Sequence, residues 1–144
     1  MKKFSLLIIL SLLFVGCSSD SYHETSAIIW LSADMKESFL FDIYNNKVDI
    51  TTGNVILDTT TGEVFYGNNI KTKTYQLNSK NNAQVSNLLS EIKKEKPGII
   101  NPGNDTTEVF ALIENNLYWT PYYHDTCTNR NLLELTEILT NLTE

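Results

Sequence analysis

The chain has 144 residues, which is enough for one domain of ordinary size and short for two. Apolar residues make up 42% of the sequence and charged residues 19%, proportions that are typical of a globular protein. The formal net charge is −6 at pH 7, and an acidic surface is a poor partner for nucleic acid or for bare anionic lipid. We therefore expect no nucleic acid partner.

Residues 1–16 have the layout of a secretion signal. Lys2 and Lys3 precede an apolar run that extends to Val15 and is interrupted only by two serines. The run has about 12 residues, whereas a permanent transmembrane helix needs about 20, so its length fits the core of a signal peptide. The pattern predicts a removable signal and not an anchor helix.

This signal ends in Phe14, Val15, Gly16 and Cys17, and the ending resembles the lipobox of bacterial lipoproteins. The resemblance covers the first 20 residues, and Phe14 stands where leucine is usual. It implies cleavage after Gly16 and attachment of acyl chains such as palmitate to Cys17, and two or more such chains hold a protein stably at a membrane. An ordinary secreted protein and an uncleaved anchor are the alternatives.

The chain beyond the signal divides into a tether and a domain. Residues 17–25 are polar and lack apolar periodicity, so they predict a flexible tether, and residues 26–144 predict a single domain. Removal of Lys2 and Lys3 with the signal would move the formal charge from −6 to −8. The lipoprotein resemblance implies a lipid anchor on the extracytoplasmic side of the cell membrane. In a Gram-negative cell, the absence of aspartate after Cys17 favours the outer membrane.

Apolar and alternating segments predict an antiparallel sheet of five to seven strands. The strand segments are 27–31, 39–44, 47–52, 55–57, 64–66, 71–77, 108–113 and 117–123. Turns are expected at Asn45 and Asn46, in a bulged three-residue loop that contains Gly62, and at Asn115 and Asn116. Because Pro121 cannot donate a ladder hydrogen bond, the last strand is expected at an edge.

Two segments have the apolar periodicity of amphipathic helices. The first follows a cap at Asn78 or Ser79 and repeats apolar residues from Val85 to Ile92. The second is capped near Thr128 and repeats them from Leu132 to Leu142. Both helices need an apolar surface to cover, so the sequence predicts a two-layer α+β domain with two helices packed on one face of the sheet.

Metal sites and disulfides are not expected. The histidines are His23 in the tether and His124 in a loop, and no Cys or His pair has ligand spacing. Asp105 lies in a turn-forming segment without the calcium-loop pattern. Lipid on Cys17 would leave Cys127 without an intramolecular partner, so stability must come from a packed core, and we expect neither metal nor cofactor.

Three residues before the second helix suggest a catalytic hypothesis. His124, Asp125 and Cys127 lie close together, and a helix N-terminus can lower the pKa of a nearby thiol. A thiol-dependent hydrolase using Cys127 and His124 is therefore one interpretation. Against it, no recognisable nucleophile motif surrounds Cys127, and we favour a lone, partly buried thiol.

The segment 117–125 is rich in aromatic residues and predicts a possible binding surface. The residues of this predicted surface are Tyr118, Tyr122, Tyr123 and His124. Strand alternation separates Tyr118 and Tyr122 from Trp119, so one set can serve the core while the other faces outward. The alternative is that helices or loops cover both faces.

The small size and the missing catalytic motif favour a membrane-anchored, non-enzymatic protein-binding module of the cell envelope. The order of strands and helices is similar to that of many small inhibitor and immunity proteins, a likeness of fold that transfers no residues. Two alternatives stay open. One is the thiol-dependent hydrolase, and the other is a structural or assembly subunit held at the membrane.

Overall fold

The structure, a computed structural model, describes residues 25–33, 37–98 and 107–144. The strands are β1 (Ala27–Ala33), β2 (Glu37–Tyr44), β3 (Lys47–Gly53), β4 (Val55–Leu57), β5 (Val64–Tyr66), β6 (Lys71–Gln76), β7 (Glu108–Ile113) and β8 (Asn116–Pro121). The helices are α1 (Ser79–Ile92) and α2 (Arg130–Thr140). The predicted signal, Cys17, His23 and the loop with Asp105 lie outside the described residues.

Six strands form one antiparallel sheet in the order β6-β3-β2-β1-β7-β8, and β4 and β5 form a separate two-stranded hairpin. Helix α1 connects the edge strand β6 to β7, which pairs with the central strand β1. The expected α+β domain with an antiparallel sheet and two helices is confirmed. The expected edge position of the strand that contains Pro121 is also confirmed, because β8 ends the sheet.

Short-range signals in the sequence locate most turns and caps. Asn45 and Asn46 have φ of 42° and 63°, the left-handed backbone that a tight hairpin turn between β2 and β3 requires. The Asn78 side chain accepts a hydrogen bond from the Asn81 amide at 2.8 Å and so caps α1. The second helix is capped by Asn129 and not by Thr128, since Asn129 Oδ1 accepts from the Leu132 amide at 2.9 Å.

Two turns differ from expectation by one residue. The β7–β8 turn has its left-handed residues at Glu114 and Asn115, so Asn116 already belongs to β8. The loop between β4 and β5 is longer than the expected three residues, because Asp58 and Glu63 remain joined by a backbone hydrogen bond of 2.8 Å. Gly62 has the expected positive φ, at 75°.

The main core lies between the sheet and the two helices. Alternate residues of the central strands point toward the helices, and Ile29, Phe41 and Val109 are fully buried there. The helices cover this face with their apolar stripes, which include Val85, Leu88, Ile92, Leu132, Leu135 and Leu139. Residues 26–144 contain one cysteine and so cannot form a disulfide within the domain. Burial of these apolar side chains therefore provides the stabilising free energy.

A smaller core lies on the opposite face of the sheet, under the β4–β5 hairpin. It consists of Leu57, Phe110 and Trp119, with Trp30, Val64 and Leu117 packed around them. The rings of Trp30 and Phe110 lie 5.5 Å apart between centroids. The hairpin therefore adds a partial third layer that sequence periodicity does not predict. Within the described residues, no helix is long and apolar enough to cross a membrane.

Candidate functional site

Half of the predicted surface in 117–125 is covered. Tyr118 is 4% exposed and belongs to the core under the helices, and Tyr122 packs against the same core. Trp119, on the other face of β8, is 6% exposed and lies in the hairpin-side core. The expectation that Tyr118 faces a partner is therefore wrong, because α2 and the sheet enclose it. Tyr123 and His124 remain exposed.

His124 and Cys127 lie close together but engage other groups. The His124 Nε2 atom lies 2.9 Å from Glu137 Oε1 on α2. The Cys127 thiol donates a weak hydrogen bond to the backbone oxygen of His124 at 3.4 Å. A nucleophile and base pair instead requires a bond between the thiol and the imidazole. The arrangement orders the segment before α2 and gives the hydrolase interpretation no geometric support.

Metal ligands do not converge in the part of the chain that the structure describes. No group of three or more His, Cys, Asp or Glu side chains there is placed to hold a metal ion. Asp42 and Asp49 are opposite each other on β2 and β3, and their carboxylates accept hydrogen bonds from the hydroxyl groups of Thr25, Tyr44 and Thr74. The bonds to Asp49 join neighbouring strands of the sheet, and the bond to Asp42 fixes Thr25, just before β1.

A polar cleft of about 510 Å³ lies between α1 and the start of β1. Its wall includes serine and threonine hydroxyls and the ion pair between Lys93 and Glu114, whose Nζ and Oε1 atoms are 2.8 Å apart. Both charged side chains are well exposed to solvent and satisfy each other. The cleft has space for a small molecule but no feature that selects one.

The most distinctive exposed feature is the outer face of the β4–β5 hairpin. Ile56 pairs across the strands with Phe65, and their side chains are 55% and 51% exposed. Tyr66, at the end of β5, is 59% exposed but pairs with the buried Val55 and so lies on the other face of the hairpin. We call Ile56 and Phe65 the hairpin patch. Among the described residues, the only other large hydrophobic side chain exposed to this extent is Tyr123.

The hairpin is held firmly against the sheet. The indole Nε1 of Trp30 donates a hydrogen bond to the backbone oxygen of Val55 at 3.0 Å. Val55 and Leu57 are buried, at 1% and 7% exposure. At the other end of the hairpin, a Cβ atom on Gly62 would lie 3.0 Å from a methyl group of Leu112, so the loop touches the sheet. The hairpin patch therefore belongs to a pinned element.

Sequence reasoning missed the hairpin patch for an identifiable reason. The segments Val55–Leu57 and Val64–Tyr66 are apolar throughout, so they lack the alternation that would assign one face to the core. Strand alternation shows which residues share a face but not which face of the hairpin packs on the sheet. The contact of Leu57 with Phe110 and Trp119 identifies the buried face.

A buried polar pair lies at the β8 end of the hairpin-side face. The Oε1 atom of Glu108 and the Nε1 atom of Trp119 are both buried and have no hydrogen-bond partner. Burial raises the pKa of the Glu108 carboxyl, and the nearby indole N–H offsets part of the change. A buried polar atom without a hydrogen-bond partner costs free energy, so Glu108 and Trp119 reduce the stability of the fold at this position.

Comparisons with known proteins add no assignment. No protein-family model matches the chain, and neither the curated proteins nor the solved structures contain a significant match. The function must therefore be inferred from the residues and their arrangement.

Proposed function

We propose that the chain is a lipid-anchored lipoprotein of the bacterial cell envelope whose domain is a non-enzymatic protein-binding module. The ending of the signal at Cys17 supports the anchor. The exposed pair of Ile56 and Phe65 on a pinned hairpin carries the binding role.

The exposed pair supports binding because a partner that covered these side chains would gain the free energy of burying their apolar surface. Burial of apolar surface contributes roughly 25 cal/mol per Å², and aromatic side chains at interfaces supply large contact areas. A hairpin that is already ordered loses little conformational entropy on binding. Large contiguous apolar patches on protein surfaces often mark interaction sites, and neighbouring exposed side chains such as Ile56 and Phe65 can belong to one.

The anchor is tested by the Cys17→Ser variant of the full-length chain in bacteria fed a labelled palmitate analogue. We expect the wild-type protein to carry the label and to sediment with membranes, and the variant to lose both properties. Equal labelling and sedimentation of the two proteins would contradict lipid attachment at Cys17.

The binding role is tested by photo-crosslinking in the source organism. A photoreactive phenylalanine analogue replaces Phe65 in one strain and Glu134, an exposed residue of α2, in a matched control strain. We expect a discrete protein adduct from position 65 and none of that mass from position 134. The absence of an adduct at 65, or the same adducts at both positions, would contradict docking at the hairpin patch.

The thiol-dependent hydrolase remains a separate hypothesis with a separate test. Cys127 is partly buried and donates to a backbone oxygen, so Cys127→Ala removes only a weak hydrogen bond. If the chain is a binding module, the variant keeps the crosslinked adduct at position 65. Loss of a biological activity together with retention of the adduct would support the thiol hypothesis instead.

A further inference from the structure

The hairpin patch is flanked by acidic side chains of its own hairpin. Asp58 follows β4, and Glu63 precedes β5 and is exposed. Asp58 Oδ1 accepts hydrogen bonds from the amides of Thr60 at 2.8 Å and Thr61 at 3.3 Å, which lower its pKa. The Asp58 carboxylate is therefore charged at neutral pH, and both acidic residues lie next to the strands that carry Ile56 and Phe65.

A further carboxylate lies on the same side of the sheet as the hairpin. Strand register places Asp49 on the hairpin side of β3. Its carboxylate accepts hydrogen bonds from the hydroxyls of Tyr44 at 3.1 Å and Thr74 at 2.6 Å, which orient it. Lys47 shares this face of β3 but lies at the far end of the strand from Gly53, where the hairpin begins.

The other basic side chains of the described residues lie on the helix side of the sheet or in and after the helices. Lys73 shows this clearly, since its Nζ atom lies 4.7 Å above the ring of Tyr75, which packs on the helix-side core. The remaining ones are Lys71, Lys80, Lys93, Lys94, Lys96 and Arg130. The two faces of the domain therefore differ in charge, and the apolar side chains are exposed on the acidic one.

We propose that the hairpin face docks a basic protein, which seats an apolar side chain on Ile56 and Phe65 and brings Lys or Arg side chains to Asp58 and Glu63. This inference rests on the proposed binding function and adds the chemistry of the partner. The apolar contact provides affinity, while the surrounding carboxylates favour a positively charged partner and increase its association rate.

Charge also argues against the other occupants of this face. Anionic lipid would meet Asp58 and Glu63 with charges of the same sign. A second copy that docked through the same face would place these carboxylates opposite each other, and like charges at an interface disfavour association. A basic protein surface is the complement of both features.

The inference is tested with the processed, lipidated chain that begins at Cys17, held in zwitterionic detergent micelles. The probes are two synthetic peptides with the same apolar residues, one with the sequence Lys-Leu-Lys-Phe-Lys-Leu-Lys and one with glutamate in place of each lysine. Heteronuclear NMR locates binding through amide shifts. We expect the basic peptide alone to shift amides of residues 55–66, with a dissociation constant that rises about tenfold between low and high salt.

Matched variants separate the apolar and the charged contributions. Phe65→Ser should weaken binding of the basic peptide about tenfold. The double variant Asp58→Asn with Glu63→Gln should weaken binding about fivefold and should make the dissociation constant less dependent on salt. Tyr123→Ser is the control, because Tyr123 is also 51% exposed but lies off the hairpin, and it should change binding less than about twofold. All four positions are at the surface or in an exposed loop, so the variants should retain the fold, which circular dichroism checks.

The result that overturns the inference is equal binding of the two peptides, binding outside 55–66, or no binding. The proposed function fails separately, through loss of the crosslinked adduct at position 65 in the cell. An adduct at position 65 together with indifference to peptide charge would leave the binding module standing and refute the basic partner.

Discussion

The Nε1 atom of Trp30, on the central strand, donates a hydrogen bond to the backbone oxygen of Val55 at 3.0 Å and so ties the hairpin to the middle of the sheet. Trp30 also packs against Phe110 in the core that the hairpin covers. One side chain therefore links the sheet to the element that carries the exposed hairpin patch.

The Trp30→Phe substitution should loosen the hairpin. It removes the donor to Val55 and part of the packing against Phe110, so we expect a loss of about 1–3 kcal/mol in the free energy of unfolding. Urea denaturation measures the loss. Hydrogen exchange should also accelerate at the Gly67 amide, which bonds to Asn54 within the hairpin connection. The control is Phe65→Ser on the exposed face, and equal effects of the two substitutions would show that the Trp30 contact has no special role.

The Glu108→Gln substitution should stabilise the protein at neutral pH. Burial raises the pKa of Glu108 in the folded state above the ordinary value of 4.5, so the ionised carboxylate disfavours folding. This cost is fully present above the folded-state pKa and disappears as the pH falls toward the ordinary value. The stability gain of the variant should therefore shrink between neutral and acidic pH in urea denaturation. Glu134→Gln is the exposed control, and a gain that is independent of pH would contradict burial as the cause.

The two asparagine caps should differ in strength. Asn129 is 7% exposed and Asn78 is exposed, although each accepts one hydrogen bond from a helix amide. We expect Asn129→Ala to cost about 2 kcal/mol and Asn78→Ala about 0.5–1 kcal/mol, because water can replace only the exposed cap. Thermal or urea unfolding of both variants measures the difference. Equal losses would indicate that burial does not control the contribution of these caps.

Truncation at Tyr118 should destabilise the protein far more than truncation at Tyr123. Tyr118→Ala leaves a cavity in the core under the helices, and we expect a loss of about 3–5 kcal/mol. Tyr123→Ala changes an exposed side chain and should alter stability by less than about 0.5 kcal/mol. Comparison of the two unfolding curves measures the difference. A loss of less than about 1 kcal/mol at Tyr118 would show that its side chain is not part of the core and could belong to a binding surface.

Local features of the sequence predicted much of the fold because they act over a few residues. Asn45 and Asn46 tolerate the left-handed backbone of a tight turn, Asn78 offers a side-chain oxygen to the first helical amides, and Pro121 cannot pair within a sheet. Each of these effects operates whatever surrounds the segment. The β2–β3 turn, the start of α1 and the edge position of the last strand followed from them, while the apolar periodicity of the strand and helix segments predicted the α+β class.

The candidate site could not be predicted in the same way, because exposure depends on which distant segments pack together. Alternation separated Tyr118 from Trp119 but did not show that α2 covers one and the hairpin covers the other. It likewise left open which face of the hairpin is buried, and this decides that Ile56 and Phe65 are exposed.

By itself, the sequence determined the periodicity of the strands and helices and their turns and caps, because these depend on residues close together in the chain. The lipobox-like signal stays a prediction from the same kind of local pattern. Only the tertiary structure decided the strand order and the folding of the hairpin over Trp30, Phe110 and Trp119. It alone placed the exposed Ile56–Phe65 pair among acidic side chains. These features depend on contacts between residues far apart in sequence, which burial of apolar surface selects when the whole chain packs.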